Sequence, residues 1–290
     1  MRRQSQPDSD RNREGPAVPA TVWIMNASMY AATPEVAAGW RRLVEQVARD
    51  ARLTLSYVAD LLAQSLNELC TRRDFGAVHM CGYTVTLKAA PVVPIAAPIP
   101  SAPWASGRAV YRSDLIVRQD APYRTLEDTF GARAGWTTTH SQSGFNAFRH
   151  HLLAYRSAQR PALYSKVIGN LGSARNMLDS VREGRIDVGP VDAYWLTLMA
   201  RHAPHLTAGV RVLASTELTP MPPFVAAVDA PADMVARLYA AFTAAASQPW
   251  FRPLRDLLLI EGFAEVDPAS FATLMEWDRE ATAAGFPVPA

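Results

Sequence analysis

The stretch Thr137-Thr138-Thr139-His140-Ser141-Gln142-Ser143-Gly144-Phe145-Asn146 decides how the rest of this chain is read. The short apolar segment 132–136 precedes it, and beyond it Phe145, Phe148, Leu152 and Leu153 recur at i, i+3, i+7 and i+8, the spacing of a helix face. A turn rich in hydroxyls therefore joins a strand to a helix. The first N–H groups of a helix lack intrahelical partners and sit at its positive dipole end. Serines there serve either of two purposes: an ordinary cap for the helix, or a cradle for an anion or a polar oxygen. Spacing alone does not choose between them.

At 290 residues the chain exceeds the usual size of one domain, which predicts two lobes. With 49% apolar and 19% charged residues it has the composition of a globular protein with a sizeable core. A net charge of +2, from 29 basic and 27 acidic residues, argues against nucleic acid as a partner, and no basic stripe is interleaved with aromatics. Cys70 and Cys81 form neither a CxxC nor a zinc-ligand pattern, so buried, inert thiols are expected. Residues 1–20 are polar and proline-containing, and disorder is expected there. Arg2-Arg3 is not followed by an apolar stretch of the kind an export signal needs. No segment reads as membrane-spanning, because the long apolar run 89–105 is interrupted by Pro91, Pro94, Pro98, Pro100 and Pro103.

Strands are expected at 21–25, 53–58 and 75–81, with helices opening at Thr33-Pro34 and spanning 60–72. This alternation predicts a parallel α/β sheet, whose ligands gather beyond the carboxyl ends of its strands. That rule places the exit loop 26–30, Tyr57 and Gly82-Tyr83 on the candidate binding edge. Residues 91–103 form a proline-rich connector holding at most an edge strand. A strand at 109–118 crosses into a second lobe, which runs strand 132–136, the hydroxyl turn, helix 145–155, strand 165–168, turn 169–173, helix 175–182, strand 186–191 and helix 194–202. Strand 210–214 leads back, strand 224–228 rejoins the first sheet, and helices from Pro231, Trp250 and Pro268 complete it, the last capped by Asp267. The expected division is residues 21–107 for the first lobe, 108–216 for the second and 217–290 for the return to the first.

Several of these segments, taken in order, resemble the phosphate/phosphite/phosphonate-binding branch of the type 2 periplasmic solute-binding proteins. Tyr111-Arg112-Ser113-Asp114-Leu115-Ile116-Val117 resembles that family's tyrosine-bearing strand into the second lobe. Ser141-Gln142-Ser143-Gly144-Phe145 resembles its Ser-Thr-Ser-Gly anion loop. Gly172-Ser173, with Val181, Gly184 and Ile186-Asp187-Val188, resembles its Gly-His turn, helix and following strand, and Arg211-Val212-Leu213 with Pro220, Pro222 and Pro223 resembles its return crossing. The resemblance implies two mixed sheets flanked by helices, joined by two crossing strands at a hinge, with the ligand clamped between lobes. It implies ligand contacts at Tyr111, Ser141 and Ser143. The departures are Gln142 in place of the family's middle threonine, Ala174 in place of its histidine, and Tyr194 in place of the acidic residue that holds an amino group. Asp192 lies two positions before Tyr194.

Asp192 ends an apolar strand, where a carboxylate is costly unless paired, so it serves as a ligand contact or as the cap of the next helix. Tyr57 and Tyr83 would form the facing wall. His140 beside the turn is a further donor or an exposed residue, and Arg175 a replacement cation or a solvated first-turn arginine. The adjacent His150 and His151 point to different helix faces, and neither they nor His202 and His205 have a carboxylate or thiol at ligand spacing, so no metal and no cofactor is expected. The reading that follows is a monomeric, non-catalytic receptor for a small polar or anionic solute. It would feed an ABC permease and be periplasmic by its resemblance. The alternatives are a cytoplasmic enzyme of menaquinone- or thiamine-pathway type on the same fold, or a ligand-sensing module.

Overall fold

Residues 21–61 and 64–290 are described in the computed structural model. The expected disorder of 1–20 and the Leu62 portion of the helix expected at 60–72 lie outside them. A six-stranded sheet is built by β1 (Ile24–Asn26), β2 (Ser56–Tyr57), β3 (Phe75–His79), β4 (Val92–Pro100), β12 (Phe224–Ala227) and β13 (Ile260–Ala264), in the order β13-β4-β12-β3-β1-β2. The intervening strands are β5 (Val110–Tyr111), β6 (Ser113–Arg118), β7 (Arg133–Gly135), β8 (Lys166–Ile168), β9 (Gly189–Asp192), β10 (Val210–Ser215) and β11 (Thr219–Pro220). Of these, β10-β6-β9 form a second sheet, and β7 pairs with β8 in parallel beside it. The two bodies are connected by β5 and β11, which pair antiparallel through Tyr111↔Thr219 and Val110↔Pro220.

The first sheet is mixed. β1 is parallel to β2 and β3, as the alternation of strands and helices requires, but β12 enters antiparallel between β3 and β4, and β13 antiparallel on β4. The proline-rich segment is thus an interior strand and not an edge connector. Proline lacks the N–H a central strand must donate, and interior prolines are tolerated at bulges. β4 meets that condition: the register shifts between Phe224 and Val225 beside Pro94, and between Ile260 and Gly262 beside Pro98 and Pro100. β13 was not foreseen, because Glu261 and Gly262 interrupt its apolar run.

Helix α1 (Pro34–Asp50) begins on the Thr33 cap, whose hydroxyl accepts from Val36 N, and buries Val36, Trp40, Leu43, Val44 and Val47 on one face. Each such side chain contributes on the order of 1.5–3 kcal/mol of burial. Helices α2 (Leu66–Thr71), α3 (Gly82–Leu87), α4 (Ala147–Leu152), α5 (Ala174–Arg182), α6 (Ala193–His202), α7 (Pro204–Thr207), α8 (Ala232–Ala244), α9 (Phe251–Leu258) and α10 (Ala272–Ala283) complete the layers. The main core runs from the first sheet through Tyr111 to Met177, Leu178, Tyr194 and Leu198 of α5 and α6, so the two bodies share apolar contacts at the hinge. None of the described helices is long and apolar enough to cross a membrane.

The last helix does more than finish the first sheet. Asp278 of α10 accepts from Tyr83 Oη on α3 at 2.9 Å and from Arg149 Nη2 on α4. Asn146 Nδ2 donates to Leu274 O at 2.8 Å, and Phe286 packs into the second sheet's core. α10 therefore ties α3 of the first body to α4 of the second. The Arg149 side chain is only 4% exposed, so removing the Asp278 carboxylate leaves a buried cation with neutral acceptors, Asn146 Oδ1 and the Pro287 carbonyl, but without its counter-charge. Asp278→Ala is expected to lower unfolding free energy by roughly 3–5 kcal/mol in urea titrations, and Arg149→Met on top of it to restore part of the loss.

Candidate functional site

A cleft of about 700 Å³ separates the two bodies. One wall comes from the first sheet: the 3-10 turn Ser28–Tyr30 beyond β1, Leu66 and Leu69 of α2, and His79, Met80, Cys81 and Thr84 at the exit of β3. The other comes from the second body: Thr137, Thr138, His140, Ser141, Ser143 and Gly144, then Gly172 to Arg175, and Pro190, Asp192 and Trp195. Tyr111 of the hinge strand lies at the base.

The hydroxyl turn faces this cleft. Ser141 Oγ accepts from Gly144 N at 2.9 Å, opening a π-helical turn, Gln142–Asn146, that runs on into α4. The turn is pinned to β7's exit because Thr137 N donates to Gly144 O at 3.0 Å. Gly144 is required by this approach: a Cβ there would lie 1.9 Å from Thr137 Oγ1. The Ser143 carbonyl accepts from Ser113 Oγ at 2.8 Å, while its hydroxyl has no protein partner among the described residues and lines the cleft. Thr137 Oγ1 is buried there without a partner as well.

A second helix start is brought alongside. Leu171 N donates to Trp136 O and Gly172 N to Thr137 O, which places Ser173, the cap of α5, next to the turn. α6 opens at Asp192 on the same cleft. Three helix N-termini thus converge on one space, where their dipoles favour negative charge. Arg175 adds a cation at the rim, 48% exposed and paired with Asp179 at 2.7 Å.

Asp192 caps the next helix and borders the cleft. Oδ1 caps α6, accepting from Tyr194 N at 2.9 Å and Trp195 N at 3.0 Å, and Oδ2 accepts across the cleft from Tyr30 Oη at 3.0 Å. Burial raises its carboxyl to about 7, against the pull of those three donors. Tyr111 is buried with its phenol driven up by desolvation, in the field of Cys81 and Asp192. The cleft is also bridged by Thr84 Oγ1, which donates to the His140 carbonyl at 2.9 Å. His140 lines the cleft; burial, then Lys88, lowers its pKa, and its Nε2 faces Thr138 Oγ1 at 3.3 Å.

Of the residues singled out in the sequence, Tyr111, Ser141, Ser143 and Asp192 meet in the cleft, and three do not reach it. Gln142 is buried behind the turn, its Oε1 accepting from Asn146 Nδ2 at 2.8 Å. Tyr83 lies in α3 and not at a strand end, and points at Asp278. Tyr57 sits in edge strand β2 beneath the Arg41 guanidinium, 4.8 Å from the ring centre. Other residues line it as well: Tyr30 of the exit loop, Thr137 of the hydroxyl stretch and Ser173 of the second turn, together with His79, which nothing in the sequence singled out. His79 is wholly buried, stacked on Phe224 at 4.4 Å, with Nε2 3.0 Å from Pro222 O and Nδ1 unpartnered. Desolvation lowers its pKa to about 4, so it is neutral. Among the described residues no group of three or more His, Cys, Asp or Glu side chains is arranged to hold a metal.

The profile of the ABC transporter, phosphonate, periplasmic substrate-binding protein family matches residues 35–271. No curated protein sequence matches significantly. Among solved structures, a binding-protein component of an ABC phosphonate transporter from Pseudomonas aeruginosa superposes with a TM-score of 0.73 at 13% identity, over 89% of this chain and 85% of its own. PhnD1 from Prochlorococcus marinus, in complex with methylphosphonate, gives 0.71 at 14% identity over 86% and 94%. A protein from Xanthomonas citri bound to ATP gives 0.63 at 19% over 92% and 98%. These identities establish likeness of fold.

Two outcomes follow from the geometry. Gly144→Ala forces Thr137 and the turn apart, with an expected cost of about 1–3 kcal/mol in urea unfolding. Asp192 has a folded pKa above its ordinary 3.8. Its contribution to stability is therefore complete below that value and is lost as pH rises through about 7. Asp192→Asn should flatten this part of the decline in melting temperature between about pH 4 and pH 8, measured by calorimetry; an unaltered slope would contradict the assignment.

Proposed function

The chain belongs to the periplasmic phosphonate-binding proteins of ABC transporters, and we propose that it captures an organic phosphonate in the cleft and delivers it to a membrane permease. The observation that carries this reading is the orientation of the hydroxyl turn. Ser141, Ser143 and Thr137 face the cleft together with the start of the helix that begins at Gln142, and the capped end of α5 stands beside them. A doubly charged, three-oxygen head needs several donors at once, and donors already fixed by the fold bind without an ordering cost.

In this mechanism the ligand enters with the bodies apart, and its oxygens settle on the 141–144 turn. Closure then rotates the first lobe (21–107 with 217–290) against the second (108–216) about β5 and β11, bringing Tyr30 to Asp192 and Thr84 to the His140 carbonyl. Tyr111 closes the base. Closure excludes water, which strengthens each donor–oxyanion contact. The family's place of work is the periplasm, and the same location is proposed for this chain.

Isothermal titration with methylphosphonate tests the site. Ser143→Ala is expected to weaken binding at least tenfold, consistent with about 1.5–3 kcal/mol for a hydrogen bond to a charged group, with the melting temperature within a few degrees of wild type. Equal affinity in Ser143→Ala and in the double variant with Ser141→Ala would remove the turn from the site.

A further inference from the structure

The wall opposite the hydroxyl turn is of another kind. Met29, Leu66, Leu69 and Met80 line it with Ala31 and Ala32, an aliphatic and thioether strip set among the polar side chains of Ser28, Gln64 and Thr84. Trp195 and Pro190 extend the apolar lining on the other side. The cleft, at about 700 Å³, is far larger than inorganic phosphate or methylphosphonate fills, and lies in the range that encloses ligands of drug size.

A cationic tail finds little here. Among the described residues that line the cleft, Asp192 is the one carboxylate, and three protein donors already occupy it. With a pKa near 7 it also carries less than a full charge at neutral pH. The cation on the rim is Arg175, paired with Asp179 at 2.7 Å, and it offers an ammonium no attraction. His79 is wholly buried and meets the cleft as part of an aromatic stack with Phe224 and Tyr30.

We propose that the phosphonate this cleft selects carries an uncharged alkyl chain of two or more carbons, laid on Met29, Leu66, Leu69 and Met80, in preference to an amino-terminated chain. This inference rests on the phosphonate reading above and adds the chemistry of the tail. Met29, on the 3-10 turn after β1, is half-buried and packs against the edge of the main core.

Calorimetric titration with methyl-, ethyl-, propyl- and butylphosphonate and with 2-aminoethylphosphonate tests it. Each added methylene is expected to tighten binding about threefold to fourfold until the wall is filled. The aminoethyl compound, matched in length to the propyl one, is expected to bind at least tenfold more weakly than propylphosphonate. Met29→Ser should reduce the gain in affinity per methylene across the alkyl series. If methylphosphonate binds but longer chains bind no tighter, or the aminoethyl compound binds best, the inference on the tail is overturned and the phosphonate site stands. If no phosphonate binds, the functional reading fails and this inference with it.

Discussion

The contact between Gly144 and Thr137 is the constraint on which the rest of the site depends. A strand exit and a helix start lie so close that no side chain fits between them. That proximity lets Thr137 N bond Gly144 O, and it turns the serines of the helix start toward the space between the bodies. From the rear the same turn is held by Gln142 and Asn146, the latter tied to Leu274 O on α10. A binding loop on a protein surface is ordinarily mobile. Here it is clamped by a close backbone approach in front and by a helix from the far end of the chain behind, so its donors are fixed before a ligand arrives.

The second feature is the concentration of helix starts. The helix beginning at Gln142, α5 and α6 all open on the cleft, and two of their caps, Ser141 and Ser173, are neutral. The third cap is Asp192, whose charge is muted by burial and shared with Tyr30 from the opposite wall. Under the proposed function an anion would meet dipoles and hydroxyls, with a single guanidinium, Arg175, on the rim among the described lining residues. Such a site binds through geometry more than through net charge, in keeping with a chain whose overall charge is only +2.

Motion and stability meet at α10. The hinge strands β5 and β11 are two residues each, too short to hold the bodies in one relation, whereas Asp278 joins Tyr83 and Arg149 from opposite sides. The apolar core that runs through Tyr111 into α5 and α6 supplies the remaining cohesion. The molecule thus has a slender connection where it must bend and a polar junction at its edge.

Local patterning determined much of this protein. Helix α1 with its Thr33 cap, the parallel trio β1, β2 and β3, and the strand–turn–helix unit around Ser141 all follow from periodicity and capping residues, because these depend on neighbours along the chain; that Ser141 and Ser143 stand near Tyr111 is implied by the family resemblance alone. Tertiary structure decided the rest. β4 is an interior strand because bulges opposite Pro94, Pro98 and Pro100 absorb its missing donors, a property of β12 and β13 and not of the prolines. Tyr83 left the cleft because Asp278, nearly two hundred positions away, offered its hydroxyl a partner, and Gln142 turned inward to Asn146 at the back of the turn. His79 lines the site because sheet order carries it there, and Ser173 stands beside the hydroxyl turn because the twin bonds from Leu171 and Gly172 hold it there; such pairings between distant segments leave no mark on local spacing.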